Sequence, residues 1–127
     1  MSKSVFISYV YEDKKYRDLL KDWSNKKLLG ENIQMTFERG DYRIKGEPAI
    51  KTEILSMIQG STAVIFLIGQ NTHNHPWVNY EAEATISKNK KIILVRIPGT
   101  TGKSPKGLFK YSETPLDVNK IKNALGI

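Results

Sequence analysis

The sequence predicts a doubly wound α/β domain, in which a parallel sheet of four to five strands carries helices on both faces. Strand-like and helix-like patterns alternate along the chain, and this order favours right-handed crossovers between parallel strands. Two strand patterns, residues 62–68 and 91–96, are almost continuously apolar, as is typical of strands covered on both faces. In such a sheet, ligands bind at the carboxyl ends of the strands.

Four segments have strand patterns. Residues 5–7 form a short β-branched and aromatic run, and residues 33–37 alternate apolar with polar side chains, which suits a strand nearer an edge. Residues 62–68 and 91–96 are the predicted central strands. A fifth strand is not obvious, and residues 108–111 are the best candidate for it.

Helical spacing of apolar residues occurs in the segments between these strands. The periodic positions are Tyr16, Leu19, Leu20 and Trp23; Ile50, Ile54, Met57 and Ile58; and Trp77 or Val78 with Glu81, Ala82 and Thr85. Pro76 suits the first turn of the third helix, because proline lacks the amide hydrogen that would have no partner there. Residues 117–125 are expected to form a closing helix with Val118, Ile121 and Leu125 inward.

The composition excludes several classes of protein. The chain has 127 residues and no cysteine, so disulfides, thiol nucleophiles and cysteine zinc sites are excluded, and two histidines leave little for a metal site. The apolar run at residues 63–68 is far shorter than the ~20 residues of a membrane span, and the N-terminus lacks a signal-peptide core. We expect one cytoplasmic domain over residues 1–127, with no metal and no membrane association.

The formal net charge of +7 is concentrated in residues 88–110, where basic side chains occur without a carboxylate. Such a stretch either attracts phosphate-bearing ligands, including nucleic acid, or forms a solvated lysine face. No aromatic residue lies between Lys88 and Lys106, whereas proteins that bind single strands alternate basic residues with stacking rings. This favours the solvated face, so nucleic acid is not expected as a partner.

Common catalytic motifs are missing. The third predicted strand ends in Leu67-Ile68-Gly69-Gln70, without the carboxylate that a phosphoacceptor receiver needs. The sequence also lacks a phosphate-binding P-loop, a G-x-G-x-x-G fingerprint and a G-x-S-x-G elbow. His73 and His75 either share a ligand or serve as polar loop and helix-cap residues, and the second explanation is the commoner one.

Glu81 is the candidate catalytic residue. If the third helix begins near Pro76, Glu81 lies about one turn after Trp77 on the same face, near the carboxyl edge of the third strand. A partly desolvated carboxylate there can act as a base or stabilise a developing cation. A plain surface glutamate near the positive end of the helix dipole fits the spacing equally well.

Four groups of residues occur in a characteristic order. They are Val5-Phe6-Ile7-Ser8-Tyr9 with Glu12-Asp13, then Val64-Ile65-Phe66-Leu67-Ile68-Gly69-Gln70-Asn71-Thr72, then Trp77-Val78-Asn79-Tyr80-Glu81, and Lys90-Lys91-Ile92-Ile93. Together they resemble the TIR-like family that includes the signal-generating proteins of the Thoeris anti-phage system. The resemblance covers roughly residues 4–96, and the flavodoxin-like fold of that family agrees with the predicted alternation.

The resemblance implies an enzyme that cleaves NAD⁺ at its nicotinamide–ribose bond and hydrolyses or cyclises the product into an ADP-ribose signal, with NAD⁺ as substrate and no cofactor. The glutamate of the family maps onto Glu81, whose carboxylate would stabilise an oxocarbenium-like ribose. Phe6, Ser8 and Tyr9 would line the pocket, a ring stacking on nicotinamide or adenine and Ser8 bonding ribose or phosphate. Trp77 is expected to pack beneath Glu81 rather than to touch substrate.

Residues 38–43 correspond in position to the loop that TIR domains use for assembly or for gating their pocket. Arg39 or Arg43 either pairs with the pyrophosphate of the substrate or belongs to a solvated charged loop. We expect a homo-oligomer and a separate effector protein that responds to the nucleotide product. Because many TIR-like domains are adaptors, a non-enzymatic interaction module is the alternative function.

Overall fold

A computed structural model describes residues 3–37 and 47–126 of the chain. Within these residues, five strands form one parallel sheet in the order β2-β1-β3-β4-β5. The strands are β1 (Lys3–Ser8), β2 (Ile33–Thr36), β3 (Ala63–Ile68), β4 (Lys91–Arg96) and β5 (Glu113–Pro115). The predicted flavodoxin-like α/β fold is therefore confirmed.

The fifth strand lies later in the sequence than expected. β5 pairs with the end of β4, from Leu94 opposite Glu113 to Arg96 opposite Pro115. The expected segment, residues 108–111, forms turns instead, with Leu108 buried and Phe109 64% exposed. A three-residue edge strand that ends in proline has too little alternation to be read from sequence.

Helices cover both faces of the sheet. They are α1 (Lys14–Asn25), α2 (Glu47–Gln59), α3 (Pro76–Ser87) and α4 (Val118–Leu125), with 3₁₀ turns at Tyr11–Asp13 and Thr72–Asn74. α3 begins at Pro76 as predicted. Asp117 caps α4, because its carboxylate accepts a hydrogen bond from the Lys120 amide at 3.0 Å. In the described ranges, no helix has the length and apolar content needed to cross a membrane.

Strand alternation divides the core into two halves. Val5 and Ile7 of β1 point to one face, and the core there includes Leu20 of α1 with Ile121 and Leu125 of α4. Phe6 points to the other face, where the core includes Ile50, Ile54 and Ile58 of α2 with Val78 and Ala82 of α3. All six residues of β3 are buried, as expected of a central strand. The next residue of β1 on the Phe6 face is Ser8, which therefore points toward the α2 and α3 side.

Candidate active site

The carboxyl ends of β1 and β3 meet at the switch point of the sheet. β2 lies to one side of β1, whereas β3, β4 and β5 lie to the other, and doubly wound sheets bind ligands at such a point. The loops that follow the strands are joined here. The Asn71 side chain donates to Glu12 Oε1 at 3.1 Å, and Gln70 exchanges two hydrogen bonds with Thr101.

A buried carboxylate lies at this point. Glu81 of α3 is 4% exposed, and its Oε1 accepts a hydrogen bond from Ser8 Oγ at 2.8 Å. Ser8 is the last residue of β1 and is 1% exposed. The two residues are 73 positions apart in sequence, so the fold alone brings together these two predicted site residues.

The backbone of Glu81 is held as well. Thr85, a fully buried residue one turn later on α3, donates its hydroxyl to the Glu81 carbonyl at 2.7 Å. Val78 and Ala82 are buried against the same half of the core as Phe6. The helical periodicity places Thr85 with Glu81 on one face of α3, and the spacing of four residues between them is the signal for this hydrogen bond.

Tyr9 packs on the other side of the sheet, against the half of the core that α1 covers. Its hydroxyl accepts a hydrogen bond from Arg17 Nη1 at 2.6 Å, and its ring meets Phe37 edge-on with centroids 6.2 Å apart. The Arg17 guanidinium lies 5.0 Å from the centre of the Tyr9 ring and 4.2 Å from that of Phe37. The structure therefore does not bring Tyr9 together with Ser8 and Glu81.

The other predicted contacts have different positions. Phe6 is fully buried in the core on the side that α2 and α3 cover, and its expected contact with a substrate stays a prediction. Trp77 is half-buried against the same core, with its ring edge-on to Tyr80 at 6.0 Å. Arg39 lies outside the described residues, as do Arg43 and the rest of the segment 38–43.

Asp13 is a second buried carboxyl group at this edge, and sequence reasoning gave it no role in the site. It is 7% exposed, and its Oδ2 has no hydrogen-bond partner in residues 3–37 and 47–126. The carboxylate lies against Gly69, just after β3, in space that a side chain at residue 69 would occupy. Burial, and to a lesser extent the negative charge of Glu12, raises the pKa of Asp13.

A second glycine completes the packing of these loops. A Cβ atom on Gly102, in the loop after β4, would overlap the backbone of Gly69 and Gln70. Because backbone atoms cannot rotate away as a side chain can, only glycine fits at residue 102 without a shift of the main chain. Gly102 thus brings the loop after β4 over the end of β3.

The two histidines precede Glu81 in the chain. His73 lies in the 3₁₀ turn Thr72–Asn74, and its carbonyl accepts a hydrogen bond from Asn79 Nδ2 at 3.2 Å. His75 is the N-cap residue of α3, and burial lowers its pKa, which favours the neutral imidazole at pH 7. In the described part of the chain, no cluster of three His, Asp or Glu residues could hold a metal ion.

Several basic residues of the stretch 88–110 are engaged by protein groups. Lys88 and Lys90 donate to the side chain and carbonyl of Gln59, and Lys91 donates to the Leu125 carbonyl at 2.8 Å. Arg96 donates to Glu113 on β5 at 2.9 Å, and this hydrogen bond lowers the pKa of Glu113. These contacts support a structural role for this part of the basic stretch.

The sequence matches the family model described as Thoeris protein ThsB, TIR-like domain, over residues 6–102. That range includes Ser8, Asp13, Gly69 and Glu81. No curated protein sequence matches the chain.

Solved structures share the fold at low sequence identity. The TIR domain of the Toll-related receptor TRR-2 from Hydra magnipapillata has a TM-score of 0.62 and 16% identity, over 87% of this chain and 82% of that one. The TIR domains of the activated Roq1 resistosome, which directly recognises the pathogen effector XopQ, have a TM-score of 0.58 and 19% identity. The match covers 75% of this chain and 57% of that one. A 2-deoxyribosyltransferase from Leishmania mexicana has a TM-score of 0.58 and 15% identity, over 74% of this chain and 64% of that one.

Proposed function

Because the chain belongs to the TIR-like domain family of the Thoeris protein ThsB, we propose that it cleaves NAD⁺ at the nicotinamide–ribose bond. The observation that carries this proposal is the buried carboxylate of Glu81, hydrogen-bonded to Ser8 at the switch point of the sheet. The product is an ADP-ribose-type second messenger in bacterial anti-phage defence, formed by hydrolysis or cyclisation. NAD⁺ is the substrate, and the reaction uses no resident cofactor.

The proposed chemistry needs a negative charge beside the ribose. When the bond between C1′ and the pyridinium nitrogen breaks, the nitrogen keeps the electron pair and nicotinamide leaves as a neutral molecule. The ribose then carries a positive, oxocarbenium-like charge, which the Glu81 carboxylate stabilises. Water or a hydroxyl of the same ADP-ribose attacks C1′ and loses a proton. A site removed from water strengthens this electrostatic stabilisation.

The remaining substrate contacts are assigned by position. The ribose of the nicotinamide half lies at Glu81, between the loops that follow β1 and β3. Arg39 follows β2, whose carboxyl end lies beside that of β1, and we assign it to the pyrophosphate. Tyr9 is assigned to the rim of the pocket on the α1 side, and Trp77 supports Glu81 from within α3.

The proposal includes partners. The domain acts in the cytoplasm, and assembly into a homo-oligomer belongs to its active form. The released nucleotide acts on a separate effector protein. Nucleic acid has no part in this function.

The alternative function is that of a non-enzymatic TIR-like adaptor. The observation that favours it is the burial of Glu81, which is only 4% exposed and so must become accessible before a substrate can reach it. In an adaptor, the Glu81 carboxylate stays buried at all times. In the enzyme, activation makes this carboxylate accessible to the substrate.

Incubation of the purified protein with NAD⁺ tests the proposal. The reaction is run with and without a crowding agent or a lysate of infected cells. The products are separated by chromatography and identified by mass spectrometry. Nicotinamide release that disappears in Glu81→Gln supports the enzyme. Glu83→Gln is the matched control, because Glu83 lies on the same helix and is exposed. Equal release by Glu81→Gln removes Glu81 from its role, and no release under any condition favours the adaptor.

A further inference from the structure

The Ser8 hydroxyl is already used by a protein group. It is 1% exposed, and its Oγ donates to Glu81 Oε1 at 2.8 Å. A serine hydroxyl carries one proton, so it cannot donate to a ribose or a phosphate while this hydrogen bond is made. A substrate that used Ser8 as a donor would have to displace the Glu81 carboxylate.

This hydrogen bond connects a rigid strand to a helix. β1 lies inside the sheet, between β2 and β3, and Ser8 itself is in register with Phe66 of β3. On the helix side, Thr85 holds the carbonyl of Glu81. The hydrogen bond of 2.8 Å between Ser8 Oγ and Glu81 Oε1 therefore limits the rotation of the Glu81 side chain relative to β1.

We propose that Ser8 is a positioning residue that fixes the orientation of the Glu81 carboxylate and does not itself bind the substrate. This inference rests on the proposed function of Glu81. A carboxylate that stabilises a developing charge must be held within about 0.5 Å of its productive position. Without the Ser8 hydroxyl, the flexible glutamate side chain gains rotamers in which its charge is misplaced.

Steady-state kinetics of nicotinamide release distinguish positioning from substrate binding. Ser8→Ala lowers kcat about 10- to 100-fold and leaves KM within about twofold, because the misplaced group acts in the transition state. Ser8→Thr keeps the hydroxyl and restores most of kcat. A rise in KM at constant kcat would identify Ser8 as a substrate contact and overturn the proposal.

Ser24→Ala is the matched control. Ser24 is also a buried serine, 5% exposed, and it donates to the Ile33 carbonyl at 2.7 Å, on the face of the sheet that α1 covers. Its replacement removes the same atoms and one buried hydrogen bond without touching Glu81. We expect its kcat to be unchanged. A loss of kcat equal to that of Ser8→Ala would mean that general destabilisation explains both variants, and would overturn the proposal.

A double-mutant cycle in urea unfolding tests the same contact without any turnover. The four proteins are the wild type, Ser8→Ala, Glu81→Ala and the double variant, because glutamine at residue 81 would keep an oxygen that accepts from Ser8. We expect coupling of about tenfold in the unfolding equilibrium constant, because the bond joins a hydroxyl to a carboxylate. Additive effects would overturn the positioning role. If the wild type releases no nicotinamide but the coupling is present, the proposed function is wrong. The hydrogen bond by which Ser8 orients Glu81 is then still supported.

Discussion

The carboxylate of Asp13 lies directly against the α-carbon side of Gly69, in space that a Cβ atom would fill. The contact joins the 3₁₀ turn after β1 to the first residue after β3, at the switch point where Ser8 and Glu81 also meet. Gly69 does not have a positive φ, so backbone conformation does not require glycine there. Glycine is needed because a side chain at residue 69 would overlap the Asp13 carboxylate. The fit between a short acidic side chain and a bare backbone therefore controls how closely these two loops approach.

Gly69→Ala is expected to destabilise the protein by about 1–3 kcal/mol, because the new methyl group overlaps the buried Asp13 carboxylate. Urea unfolding measures the change. Gly60→Ala is the matched control, since a Cβ there makes only ordinary contacts, the nearest at 3.6 Å from the Ser56 carbonyl oxygen. The double variant with Asp13→Ala should recover much of the loss. An unchanged free energy of unfolding in Gly69→Ala would contradict the steric explanation.

Asp13 should reduce the stability of the fold at neutral pH. Its pKa is raised in the folded state from the ordinary value of 3.8, so the folded protein keeps a proton that the unfolded chain has lost. Stability therefore decreases as the pH rises from the ordinary value through the raised one, and then stays at the lower level.

Asp13→Asn removes this titration. We expect the variant to gain stability relative to the wild type as the pH rises through that window, with the largest gain above it. Urea unfolding at a series of pH values between about 3 and 8 measures the difference. Parallel stability curves for the two proteins would show that Asp13 does not titrate abnormally.

Arg17→Ala should cost about 1–2 kcal/mol of stability, because the guanidinium packs on two rings and donates to the Tyr9 hydroxyl. Arg17→Lys is expected to recover only part of this loss, since an ammonium cannot stack as a planar group does. Lys15→Ala is the control, as Lys15 is exposed and lies over the single ring of Tyr16. Equal effects of Arg17→Ala and Lys15→Ala in thermal unfolding would argue against this role.

Asp117→Ala should destabilise the protein by about 0.5–2 kcal/mol through loss of the cap on α4. Asp117→Asn keeps a side-chain oxygen that can accept from the Lys120 amide, so we expect it to stay within about 0.5 kcal/mol of the wild type. Thermal unfolding of the three proteins compares them directly. If the asparagine variant loses as much stability as the alanine variant, the negative charge matters more than the hydrogen bond.

The sheet could be predicted from sequence because its central strands are long apolar runs. Residues 62–68 and 91–96 read as strands without any knowledge of tertiary contacts, and the structure has β3 and β4 there. β5 could not be found in the same way. It is three residues long, and it is a strand only because its backbone pairs with β4.

The candidate site was predictable in part. Helical spacing predicts Glu81 near the carboxyl edge of the sheet, whereas Ser8 was indicated by the family resemblance. Strand alternation could have shown that Tyr9, one residue after Ser8, turns to the opposite face. The burial of Asp13 could not be predicted, because it depends on how closely the loop after β1 approaches Gly69 in three dimensions.

Pro115 has a consequence for how copies of this domain can associate. It is the last residue of an edge strand, and it has no amide hydrogen to offer to a further strand. A strand of three residues that ends in proline is a poor template for edge-to-edge pairing. The β5 edge of the sheet therefore disfavours growth by strand addition, so association of copies through other surfaces is favoured over pairing at β5.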